Sequence, residues 1–239
     1  MNVNWQGQVV LVTGGGKGIG RAIAMALAQR GARVAVSGRD KGALESVAQE
    51  IQGFAVTMDV RDENSVNTAV EAVVAWGGKL DVLVNNAGIG LLVTPLMETS
   101  PKQWEDVIAT NLTGAFLATR AAWPHLQKSK GQILNLSSVA GTRGFHGASA
   151  YCASKFGING FTEVLKAEGA EFGIRVMSFC PAAISTEIWG EWATEEDKSR
   201  MMTPDQIGEL VSTMLSTPRN IDLKPWIIEN ARDPFRADG

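Results

Sequence analysis

Tyr151-Cys152-Ala153-Ser154-Lys155 sets a phenol and an ammonium four residues apart. On a helix such positions share a face. A free phenol has a pKa of about 10, and a nearby ammonium favours phenolate, so the spacing predicts a Tyr151 pKa brought down by Lys155. Such a residue exchanges a proton with a carbonyl or alcohol near neutrality. On its own a Tyr–Lys helix pair is an ordinary solvated feature. Here, however, Tyr151 is the only tyrosine in 239 residues and lies just before an apolar stretch, Phe156 to Leu165. Ser137-Ser138 directly follows an apolar run. In an open α/β sheet the carboxyl ends of strands border the ligand crevice. A serine there can donate a hydrogen bond to a carbonyl oxygen, with a turn or helix cap as the plain alternative.

A second constellation is Gly14-Gly15-Gly16-Lys17-Gly18-Ile19-Gly20, between the strand-like run 8–13 and a helical run from Arg21 to Arg30. Glycines at that junction let backbone approach a pyrophosphate whose charge sits at the helix N-terminus. Strand and turn context is what separates such a loop from a merely flexible one.

The elements that position these groups alternate. Strands are predicted at 8–13, 33–37, 54–58, 80–84, 132–136, 174–179 and 226–229. Helices are predicted from Asp40 to about Glu50, from Asp62 through Trp76, over about 101–126 and 150–172, and from Thr203-Pro204. Repeated βα units with mostly apolar strands imply a parallel sheet covered on both faces. One doubly wound domain spanning 1–239 is the economical arrangement. Net charge is −3 with no basic block, which gives nucleic acid no support as a partner. No apolar run approaches a membrane span and no secretory leader is visible. The two cysteines, Cys152 and Cys180, lack metal-ligand spacing; no metal is expected, and reduced thiols in a cytoplasmic protein are.

Thr13-Gly14-x-x-x-Gly18-x-Gly20, Asn85-Asn86-Ala87-Gly88, Asn111, Ser138, Tyr151 and Lys155 together resemble the short-chain dehydrogenase/reductase family, in its branch of about 250 residues. The motifs match in order and spacing over roughly residues 5–190. The resemblance implies a Rossmann-like α/β fold with a seven-stranded parallel sheet and NAD(P)-dependent carbonyl–alcohol chemistry. It implies that Tyr151 is the general acid in reduction and base in oxidation. Lys155 would hold the ribose hydroxyls and Ser138 orient the substrate, while Asn111 would hold a water for proton relay to Lys155. Gly14, Gly16, Lys17, Gly18, Ile19, Gly20, Asn86, Ala87 and Gly88 would contact the cofactor, with Asp59 and Val60 beside adenine. Pro181, the backbone of Ile184 and the Thr186 hydroxyl would meet the nicotinamide. A homodimer or homotetramer through the long helices is also implied.

At the end of the second strand an NAD site usually carries an acid for the ribose hydroxyl. Here Gly38 stands there, followed by Arg39, with Lys17 inside the glycine loop. Two cations without a carboxylate suit a 2′-phosphate, so NADP(H) is the expected cofactor; Asp40 reads as a helix cap. The chain departs from the family pattern in Ala182 for the usual Gly, in Ser178 for the usual Asn, and in its C-terminal run. A substrate lid is expected over about 183–203, with Trp189, Trp192, Met201 and Met202 as one apolar wall and Phe145 and His146 as the other; core packing is the alternative for each. The substrate is expected to be a small carbonyl compound or alcohol, with dehydrogenation of a polyol, sugar or steroid as a further alternative. Reduction of a 3-oxoacyl–carrier-protein is an alternative, demoted because Phe172 stands where such relatives often carry a basic residue. A non-catalytic NADP(H)-binding sensor or scaffold is another, and the complete Ser–Tyr–Lys set argues against it.

Overall fold

The apolar runs form strands β1 (Val9–Thr13), β2 (Arg33–Gly38), β3 (Phe54–Thr57), β4 (Val82–Asn85), β5 (Gln132–Leu136), β6 (Arg175–Pro181) and β7 (Trp226–Ile228). In the computed structural model, which describes residues 4–232, they make one parallel sheet in the order β3-β2-β1-β4-β5-β6-β7. Successive side chains point to opposite faces. Val10, Val12, Val34, Val36 and Leu134 pack on one layer, and Val9, Leu11, Ala35, Leu83 and Ile133 on the other. The central strands β1, β4 and β5 are buried throughout. This is the Rossmann-like doubly wound sheet that the alternation predicts.

The helices are α1 (Gly18–Gln29), α2 (Lys41–Glu50), α3 (Glu63–Gly77), α4 (Pro101–Ile108), α5 (Gly114–Ser129), α6 (Ser149–Ala170), α7 (Glu195–Arg200) and α8 (Pro204–Leu215). Local signals set most of their starts. Asp40 Oδ1 accepts from the amide of Ala43 at 3.1 Å, and Asp62 Oδ1 from that of Ser65 at 2.8 Å. Ser100 and Thr203 form capping boxes with Gln103 and Gln206, each followed by Pro at the first helical position. α1 and α8 lie close, because a Cβ at Gly208 would come within 2.6 Å of the Ala22 carbonyl oxygen. The expected helix 101–126 is instead α4 and α5 joined by a π turn, Ala109–Thr113, and it runs on to Ser129. One extra residue in a turn leaves the apolar periodicity nearly unchanged, so the pattern did not mark it.

β1 is flanked by β2 on one side and β4 on the other. The winding reverses there, so the crevice opens beyond the carboxyl ends of β1 and β4, where the glycine turn and Asn85-Asn86-Ala87-Gly88 emerge.

Candidate active site

The glycine turn is built against the loop after β4. Thr13 Oγ1 accepts from the amides of Asn86 and Ala87, each at 3.0 Å, and Asn86 Nδ2 donates to the carbonyls of Thr13 and Gly14 at 2.8 and 3.1 Å. Gly14 has φ +65°, and a Cβ there would lie 2.9 Å from Ala87 Cα. A Cβ on Gly20 would sit 2.2 Å from the Gly14 carbonyl oxygen. α1 begins without a side-chain cap, whereas α2, α3, α4, α7 and α8 each have one. Its first amides are therefore donors without a side-chain acceptor beside a side-chain-free cradle, which fits a dinucleotide pyrophosphate.

The cations expected at the ribose differ in their surroundings. Arg39 is exposed and takes part in no hydrogen bond or ion pair among the described residues, while Asp40 is the α2 cap. Lys17 pairs with Glu187 at the start of the lid, both side chains being exposed. Asp59 is chelated by Arg61, at 3.0 and 2.7 Å, which holds its carboxyl down at about 2. The Val60 side chain is buried under Gly114, leaving backbone at that edge.

Beyond β5, Ser138 opens a short 3-10 turn, Val139–Gly141; its Oγ accepts from the amide of Ala140 at 3.1 Å and donates to the carbonyl of Pro181 at 3.4 Å. Tyr151 and Lys155 lie one turn apart on α6, with Lys155 Nζ 5.5 Å from the Tyr151 ring centre. Nζ donates to the Leu136 carbonyl at 2.8 Å. The sequence reading of the phenol is corrected here. Burial pushes Tyr151 up to about 12; a hydrogen bond with Ser138 pulls the other way and the neighbouring Cys152 adds to the rise. Tyr151 keeps some exposed surface, but protein surrounds its hydroxyl, and desolvation is the largest influence on it. The same burial lowers Lys155 to about 8, opposed by the nearby Cys180 thiol.

Asn111 sits in the π turn, 2% exposed. Its Oδ1 accepts from the amide of Ile89 at 2.8 Å, and Nδ2 donates to the Ile89 carbonyl at 3.0 Å and to Ser154 Oγ at 3.1 Å. Ser154 Oγ in turn donates to the Tyr151 carbonyl at 2.7 Å. The side chain thus ties the loop after β4 to α6. Beneath lies a buried polar row. Asn85 Nδ2 donates to Thr119 Oγ1 and Asn135 Oδ1, and Asn135 Nδ2 donates to Thr162 Oγ1, all at 2.8–2.9 Å.

The departures are accommodated locally. Ala182 is not among the residues with positive φ, so its Cβ brings no strain. Ser178 Oγ donates to Asn159 Oδ1 at 2.7 Å. Trp189 Nε1 donates to the Ile184 carbonyl at 2.8 Å, which occupies one of the backbone groups expected at the nicotinamide. Thr186 lies over Gly18, with Cγ2 3.8 Å from where a Cβ would be.

An open cleft lies between the loop after β4 and the lid, lined by Gly90, Leu91, Leu92, Val93, Thr94, Ile188, Trp189 and Trp192. Trp189 and Trp192 both line it. Phe145 and His146 are exposed and do not line it, although their loop abuts Val93 and Thr94. Met201 is buried and Met202 packs on the core beside Ile184, so neither forms the wall. Residues 90–94 went unread; the signal was the run Leu91-Leu92-Val93 directly after Asn85-Asn86-Ala87-Gly88-Ile89-Gly90.

The family model for short chain dehydrogenases matches residues 8–197. L-fucose dehydrogenase of Bos taurus is 34% identical over 219 residues, covering 91% of this chain and 78% of that protein. D-threitol dehydrogenase of Mycolicibacterium smegmatis is 40% identical over 190 residues, with 76% and 72% covered. Among solved structures, an alcohol dehydrogenase from the archaeon Thermococcus sibiricus, complexed with 5-hydroxy-NADP, superposes with TM-score 0.89 at 26% identity over 97% of this chain and 99% of that one. A 3-ketoacyl-(acyl-carrier-protein) reductase from Brucella melitensis, complexed with NADH, gives 0.88 at 32% identity over 95% and 99%. The chain belongs to the short-chain dehydrogenase/reductase family of oxidoreductases. Among the described residues no helix is long and apolar enough to cross a membrane.

Proposed function

We propose that the protein is an NADP(H)-dependent oxidoreductase interconverting a ketone or aldehyde and an alcohol. The observation that carries this reading is the convergence of Ser138, Tyr151 and Lys155 beside a glycine turn whose helix amides are uncapped. The bound nicotinamide nucleotide supplies or accepts the hydride. Gly14, Gly16, Gly18, Ile19 and Gly20 would hold its pyrophosphate, with Asn86, Ala87 and Gly88 alongside. Lys155 would hold the ribose, Asp59 and Val60 the adenine edge, and Pro181, Ile184 and Thr186 the nicotinamide side. Tyr151, a phenol with a pKa no lower than its ordinary value of about 10, is in the proton-donor form that reduction of a carbonyl requires. Ser138 orients the carbonyl oxygen toward it.

Gly38 and Arg39 support the phosphorylated nucleotide, and so does Lys17 despite its pairing with Glu187. An exposed ion pair contributes about 0–1 kcal/mol, whereas a hydrogen bond to a charged group contributes about 1.5–3 kcal/mol. Breaking the exposed Lys17–Glu187 pair therefore costs little when Lys17 turns to a 2′-phosphate. The reading extends to a homodimer or homotetramer, supported by Phe116 on α5 and Phe156 and Val164 on α6, all exposed. It also extends to a cytoplasmic location, supported by the two buried free thiols. The deciding assay follows absorbance of NADPH and NADH with a panel of ketones, aldehydes and a β-ketoacyl thioester. Oxidation of NADPH by a simple carbonyl is expected; no oxidation of either nucleotide by any member would sink the reading, and exclusive use of the thioester would transfer it to the acyl-carrier reaction.

A further inference from the structure

On that reading of the site, we propose that the substrate is a bulky apolar ketone or the matching secondary alcohol, and not a sugar or polyol. The side chains that line the cleft between the loop after β4 and the lid are almost all apolar. Its floor is the loop after β4, pinned at one end where Asn111 holds both backbone groups of Ile89, and at the other where the amide of Thr94 donates to the Gly147 carbonyl at 2.9 Å. Gly147 has φ +74°, and a Cβ there would lie 2.9 Å from the Val93 backbone, so the floor sits tightly against the segment leading into α6. Both anchors are within a few residues of Tyr151 or joined to its carbonyl through Ser154.

The opposite wall is Ile188, Trp189 and Trp192 from the lid. Gly90 lets the two walls meet, since a Cβ there would be 2.7 Å from Ile188 Cγ1. Trp189 gives its indole N–H to the Ile184 carbonyl, so its ring is held in place by its polar edge. Trp192 is 68% exposed, a large ring that a ligand would cover. Among the described residues lining the space, no carboxylate, amide or cationic side chain occurs, and Thr94 carries the only hydroxyl. A polyol brings several hydroxyls, and the side chains of this wall offer them one hydroxyl partner, leaving the rest to backbone groups and solvent. An alkyl or aryl group loses nothing by the same transfer and gains the burial of its own surface.

The experiment compares acetophenone and 2-octanone with dihydroxyacetone and D-erythrulose, each with NADPH and NADH. It also follows tryptophan fluorescence on titrating acetophenone into the full chain with NADP+ present. The apolar ketones are expected to exceed the hydroxylated ones by at least about a hundredfold in kcat/KM. In Trp192→Ala, whose folding an exposed ring does not govern, acetophenone is expected to lose at least about tenfold, mostly in KM. D-erythrulose reduced as well as acetophenone, or better, overturns the substrate class while leaving the redox reading intact. If no ketone is reduced, the redox reading fails, and the fluorescence titration then decides the cleft's chemistry alone. Saturable quenching by acetophenone that weakens in Trp192→Ala supports it, and no quenching overturns it.

Discussion

Asn111→Ala tests whether one side chain holds the catalytic helix and the cleft wall together. The substitution removes three hydrogen bonds at a site only 2% exposed: two to the backbone of Ile89 and one to Ser154. Each contributes about 0.5–1.5 kcal/mol net, and a buried group left unpaired costs about 1–3 kcal/mol. Their sum is about 3 kcal/mol once some of the orphaned groups find water. For a domain of this size each kcal/mol moves Tm by about 2–4 °C, so a fall of about 6–12 °C is expected. Loss of the tie also frees the loop after β4 from α6, so kcat/KM should fall by more than about tenfold, an energetic equivalent of about 1.4 kcal/mol. NADPH affinity should change little, because Asn86 and Thr13 hold the glycine turn independently. Urea unfolding, thermal scanning and a nucleotide titration on the same preparation read all three. A stability loss below about 0.5 kcal/mol, the range of an ordinary surface change, would refute the reasoning. Asn111→Asp, which keeps the acceptor and loses the donor, should fall between.

Tyr151→Phe should lower turnover by at least about 10²–10⁴-fold while sparing nucleotide binding, since it removes only the transferable proton; steady-state kinetics with a nucleotide titration check this. Arg39→Ala combined with Gly38→Asp should invert the preference for NADPH over NADH. NADPH binding should weaken about tenfold to a hundredfold, and equal kcat/KM for the two nucleotides in the unmodified protein would contradict the charge argument. Lys155 is held near 8 in the fold against 10.5 when unfolded, so between those values the unfolded chain binds more protons and stability rises with pH. Tyr151, raised from 10.0 to about 12, acts oppositely, with stability falling as pH passes from about 10 upward. Unfolding free energies from urea titrations should therefore rise by about 1.5 kcal/mol from pH 8 to 9.5, and Lys155→Met should lack that rise; an unchanged slope in the variant would exclude Lys155 as its source. Light scattering at micromolar concentration should show a closed dimer or tetramer, and a monomer would count against helix pairing through α5 and α6.

What the amino-acid sequence determined by itself is whatever short-range chemistry specifies. The glycine run after β1, the caps at Asp40, Asp62, Ser100 and Thr203, and the four-residue spacing of Tyr151 and Lys155 each act within one or two turns of chain. Alternating βα units also implied a parallel sheet, because apolar strands must be covered on both faces. Tertiary structure decided the features that depend on distant partners. The sheet order placed the crevice at β1 and β4, and the π turn aimed Asn111 at Ile89. Leu91, Leu92 and Val93, far from the lid in sequence, became its opposing wall, while Met201 and Met202 turned inward. Lys17 found Glu187 across 170 positions. The Tyr151 phenol shows the physical reason most directly. Its helical neighbour Lys155 predicts a lowered pKa, but burial acts through every atom packed around the hydroxyl, not through one local neighbour, and that sum raises it.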